Sequence, residues 1–120
     1  GPFFGPDDLQ DLTSRLSSTS ATEASGRMIL RQIGDAHKHN LQMLHEVSEK
    51  GADTGETRLE HFSNEGGFVL QGALEVTVGE QSRVLMPGES YLFDSRIPHR
   101  FRNVHDGQTI VVSACTPPYL

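Results

Sequence analysis

Apolar and polar residues alternate along most of this chain at the two-residue period of a half-buried strand, in short runs separated by glycine and proline. Strands are predicted over residues 26–33, 41–47, 57–62, 68–70, 73–78, 83–86, 90–93, 100–103 and 109–115. Residues 34–40 read as a turn carrying His37 and His39, residues 51–55 as a Gly-rich break, and residues 79–82 as a hairpin turn. Pro87-Gly88 marks another turn. Many short strands at even spacing predict an all-β fold, a small antiparallel barrel or sandwich. Residues 1–26 break the pattern. A short helix is expected from Asp7 to Leu16, with Leu9, Leu12 and Leu16 on one face, and the Ser/Thr run behind it reads as linker. The leader is therefore divided from a barrel domain at 27–120, and Gly1-Pro2 reads as a tag-cleavage remnant.

Length agrees with this division, since 120 residues suit one domain with one core. The formal charge of −6, with only two lysines (Lys38 and Lys50), argues against phosphate-backbone binding by this chain. No apolar run is long enough to span a bilayer. A single cysteine, Cys115, excludes an internal disulfide and suits a reducing compartment, so the chain is placed in the cytoplasm. Cys115 lies within an apolar run and is read as a buried structural thiol.

Chemistry concentrates between residues 59 and 103. His61 and Glu65 are four apart and followed by Gly72; Pro98-His99 precedes Asn103. Two imidazoles and a carboxylate are the donors an open divalent site uses, for Zn, Ni, Fe or Mn. The same three residues would also serve, without metal, as a polar cluster in a ligand pocket. Gly72, Gly79 and Gly88 read as turn positions that need positive φ. His37 and His39 fall in a polar turn and are expected at the surface, as are His45 and His105.

These residues match the two motifs of the cupins, which the chain resembles from about Leu41 to Ala114. His61, Glu65 and Gly72 stand in the first motif; Gly79, Gly88, Pro98, His99 and Asn103 stand in the second. Leu59 departs from the pattern, occupying the place of the first motif's first histidine. The runs Thr54-Gly-Glu, Pro87-Gly-Glu-Ser-Tyr91, Ile97-Pro-His99 and the ending Ser113-Ala-x-Thr-Pro are similar to the C-terminal cupin domain of bacterial helix-turn-helix regulators of the putrescine-utilisation repressor type. The resemblance implies a jelly-roll barrel that senses a small molecule and forms a homodimer. Any contact with DNA would then be made through an N-terminal domain outside this chain.

On a strand, residues two apart share a face, so an inward His61 would carry Leu59 inward with it. The expected pocket is lined by Leu59, Gly67, Val69, Val76, Tyr91 and Phe101 around His61, Glu65 and His99. Glu65 would attract a cationic amine in the absence of metal, and Tyr91 would offer it a ring face. Phe62, Phe68 and Phe93 are read as core or dimer-interface residues rather than ligand contacts. The alternative is a stand-alone metal-dependent cupin enzyme of the dioxygenase, isomerase or lyase type, using the open positions of the His-Glu-His set. A barrel retained only for dimerisation is the third reading.

Overall fold

The structure of the protein, a computed structural model, describes residues 1–15, 26–55 and 60–120. Among these residues the chain forms nine strands, β1 Gln10–Asp11, β2 Met28–Gln32, β3 Gln42–Ser48, β4 Asn64–Gln71, β5 Leu74–Val78, β6 Gln81–Leu85, β7 Ser90–Asp94, β8 His99–Asn103 and β9 Thr109–Thr116. They lie in a six-stranded sheet of order β1-β2-β3-β9-β4-β7 and a three-stranded sheet of order β6-β5-β8. Every pairing is antiparallel. The two sheets face each other as a jelly-roll β-barrel, within the antiparallel barrel-or-sandwich class the alternation predicts and as the cupin resemblance implies.

Two aliphatic clusters lie inside. Val69, Leu74, Val76, Leu85 and Val111 join the sheets, with Tyr91, Phe93 and Phe101 packed against them. Leu12, Leu30, Leu44 and Leu120 form the second, with Tyr119 beside them. Gly72 sits in the tight turn between β4 and β5 at φ 89°, and an added Cβ there would lie 2.8 Å from the Thr109 Cα. Only glycine fits both conditions.

The structure corrects several local expectations. In place of a helix beginning at Asp7 there is a 3-10 turn over Pro6–Asp8, followed by β1, which pairs with β2 through Gln10–Gln32 and Asp11–Arg31. Leu12 then enters the core at 1% exposure, and residues 13–15 are helical, so the expected helix survives only at its C-terminal end. Leu16 and the Ser/Thr run lie outside the described residues. The reason is tertiary: an open sheet edge offers backbone partners that a short isolated helix must do without. The turn around His37 contains one helical turn, α1 (Ala36–His39), whose Asp35 side chain accepts from the Lys38 N–H at 3.1 Å. The fourth strand starts at Asn64 rather than Phe68, hidden from a propensity reading by Gly66 and Gly67. Of the expected third strand, residues 57–59 lie outside the described residues, and 60–62 are not in a strand.

Candidate functional site

The interior of the barrel is built by the period-2 faces of β2, β3, β4, β5, β7, β8 and β9. His99, the first residue of β8, is fully buried. Its Nδ1–H donates to the Ile97 carbonyl at 2.8 Å. Because a carbonyl only accepts, this bond fixes the tautomer and leaves the Nε2 lone pair facing the cluster. Burial holds the imidazole below its ordinary pKa, so the neutral ligand form is favoured.

Glu65, on β4, is 6% exposed and faces both histidines. Its Oε1 lies 3.5 Å from His99 Nε2 and its Oε2 lies 3.1 Å from His61 Nε2. His61 comes from the loop ahead of β4, not from a strand. That loop is clamped to the one before β8: the His61 N–H donates to the Ser95 carbonyl at 3.0 Å, and the Ser95 N–H donates to the Ser63 carbonyl at 2.8 Å. A loop has no two-residue alternation to carry Leu59 inward with His61, and Leu59 itself lies outside the described residues.

The donor atoms of His61, Glu65 and His99 all lie within 4.8 Å of one another. His99 Nε2 and both ring nitrogens of His61 have no hydrogen-bond partner among the described residues, because the His–Glu approaches are close but poorly aimed. Buried unpartnered nitrogens are costly, and they converge here with a carboxylate. Two imidazoles and a carboxylate, with the His99 tautomer already fixed, fit a divalent cation with open positions.

Tyr119, from the segment after β9, stacks on His61 with ring centroids 3.9 Å apart and 23° between planes. Gln42 Oε1 accepts from the Tyr119 and Leu120 N–H groups at 3.3 and 3.0 Å, and Ser63 Oγ–H donates to the Pro117 carbonyl at 2.6 Å. Behind the triad lies a cavity of about 30 Å³ lined in part by Glu46, Glu65, Tyr91, Phe101, Ser113 and Tyr119. Tyr91 reaches it by lying across Gly67, where an added Cβ would fall 2.5 Å from the Tyr91 Oη.

Of the residues expected around the trio, Tyr91 and Phe101 line this cavity. Val69 and Val76 belong to the aliphatic core, at 0% and 6% exposure. Phe93 packs against His99 with centroids 4.9 Å apart, while Phe62 is 82% exposed. Asn103 is a scaffold residue: its Nδ2 donates to the carbonyls of Ser48, Glu49 and Gly107, and its Oδ1 accepts from the Thr109 hydroxyl at 2.7 Å. Sequence reasoning missed Glu46 and Tyr119. For Glu46 a signal existed, since the period of 41–47 sets it on the face of Leu44, which is core.

The family model described as "Cupin domain" (Cupin_2) matches residues 44–115, which is more than half of the chain. The chain belongs to the cupin family. It is 39% identical over 77 residues to the HTH-type transcriptional regulator PuuR of Escherichia coli (strain K12), covering 64% of this chain and 41% of PuuR. The cupin therefore spans about two-fifths of the length of that relative, and it is related to a domain of helix-turn-helix regulators. The Cupin_2 domain of an XRE family transcriptional regulator from Enterobacter cloacae superposes with a TM-score of 0.67 at 22% identity, covering 77% of this chain and 98% of that one. KdgF from Halomonas sp. superposes with a TM-score of 0.72 at 21% identity, covering 99% and 96%. At those identities the likeness is one of fold.

Proposed function

We propose that this cupin is the small-molecule-sensing and dimerising domain of a helix-turn-helix transcriptional regulator, and that its ligand, a small amine on our reading, binds in the barrel interior. The observation that carries the proposal is the interior cavity lined by Glu65, Tyr91 and Phe101, whose Glu65 also faces the two histidines. Kinship with PuuR supports the regulatory context. DNA would be read by a separate N-terminal domain, in keeping with the net charge of −6. No described helix is long and apolar enough to cross a membrane, and the free buried thiol of Cys115 suits the cytoplasm.

A divalent ion held by His61, Glu65 and His99 would order these side chains and present open positions to a ligand oxygen or nitrogen. For the homodimer, the outer face of the large sheet supplies an apolar row at Met43, Ala114, Gly66 and Leu92, set side by side by strand register. Leu92 is 81% exposed and Phe68, on the same strand as Gly66, is 46% exposed.

A melting-shift screen of small metabolites on the purified chain, paired with sedimentation, tests the sensing reading. A ligand that raises the melting temperature of a dimer supports it; a parent gene with no helix-turn-helix segment before Phe3 would sink it. The second reading is a metal-dependent enzyme of dioxygenase, isomerase or lyase type, favoured by the open positions of a two-His-one-carboxylate set. Turnover that disappears in His99→Ala would establish it.

A further inference from the structure

We propose that Glu46 is the residue that selects the ligand, its carboxyl receiving the ammonium group of a small primary amine between the rings of Tyr91, Phe101 and Tyr119. The inference rests on the sensing reading above and assigns a residue outside the His-Glu-His cluster.

Strand register sets Glu46 opposite Leu30 on one side and Val111 on the other, both buried. Its carboxyl therefore lies within the barrel and lines the cavity with Met28, Leu30, Tyr91 and Phe101. It takes a side-chain hydrogen bond from Ser113, and the charge acting on it is the like charge of Glu65. Neither lysine nor arginine is among the described residues that line the cavity. Glu46 is half-buried; a carboxylate drawn away from water without a cation is costly, and this desolvation pushes it up to about 7. The chain thus holds an acidic group whose natural partner is missing from its surroundings.

The walls specify which partner fits. A carboxylate or phosphate ligand would meet two acids and no donor cation. A cation would meet both acids and three aromatic faces, the arrangement that recognises organic ammonium groups. A cavity of about 30 Å³ admits a group the size of one water molecule or one ammonium head, not an alkyl chain. The carbon chain must then run past Tyr119, which is held by its stacking on His61 and by Gln42 Oε1 on its own N–H. Ligand entry on this geometry displaces the Tyr119 ring and leaves Glu46 as the anchor inside the cavity.

The test is calorimetric titration of the full chain in phosphate buffer with three probes of one length: n-propylammonium, 1-propanol and propionate. Wild type should bind n-propylammonium at least tenfold more tightly than either other probe. Glu46→Gln should lose tenfold or more of that affinity, Glu46→Asp should lose less than Gln, and the exposed Glu80→Gln should match wild type. Metal content should be equal in all four proteins. Equal affinity in Glu46→Gln and wild type, equal loss in the Asp and Gln variants, or preference for propionate or propanol overturns the proposal. If n-propylammonium fails while other metabolites shift melting, the assignment falls and the sensing reading stands. If nothing shifts melting, both fall.

Discussion

Replacing Glu46 by glutamine should stabilise the protein, and only above mildly acidic pH. The carboxyl ionises at 4.5 in an exposed setting and near 7 in the barrel, where burial, then the charge of Glu65, oppose ionisation against the Ser113 hydrogen bond. The folded state therefore holds a proton between pH 4.5 and 7 that the unfolded state has lost, and stability falls as pH rises through that window. The full difference corresponds to about 3 kcal/mol, absent below pH 4.5 and complete above pH 7. Glutamine keeps the shape and can still accept from Ser113, so it removes the charge alone. His99 works in the opposite sense: its pKa is lowered from 6.5 by burial, so its contribution to stability grows as pH rises toward that value. Asp53 and Asp94, held low by Arg100 and Arg96, titrate below the window. Subtracting wild type from the variant cancels these terms. Urea unfolding in amine-free buffer at pH 4.5, 6 and 8 should show a gap that opens from near zero to about 2–3 kcal/mol, with unchanged m-values. A gap independent of pH, or a variant less stable at pH 8, would refute the reasoning that Glu46 is an unbalanced interior acid.

Untagged protein purified without chelator should carry near-stoichiometric divalent metal by mass spectrometry, and His61→Ala and His99→Ala should each lose most of it; equal metal in all three would show that it binds elsewhere. Leu12→Ala should cost about 2–4 kcal/mol by urea unfolding, because the side chain is 1% exposed among Leu30, Leu44 and Leu120; a cost below about 0.5 kcal/mol would mean that the leader does not dock. Gly72→Ala should cost roughly 1–3 kcal/mol, since alanine must adopt φ 89° with its Cβ against Thr109; an unchanged unfolding midpoint would count against the turn as described.

What the sequence alone determined is the local part of this protein. Alternation of apolar and polar positions set the strand class and most strand positions, because the two-residue period of an extended backbone is a property of the chain itself. The spacing of His61, Glu65 and His99 around a hairpin identified the donors, because imidazole and carboxylate chemistry does not depend on neighbours. The tertiary structure decided the rest. Whether residues 10–12 form helix or strand depended on a free edge at β2. His61 reached the site from a loop because its N–H donates to the Ser95 carbonyl while the Ser95 N–H donates to the Ser63 carbonyl, between segments over thirty residues apart. Glu46 and Tyr119, more than seventy positions apart, came to line one cavity through the pairing of β3 with β9. Burial and the field of distant groups are sums over the folded surroundings. No window of sequence contains them, and they are what turns an ordinary glutamate into an interior acid with no cation among the described residues lining its cavity.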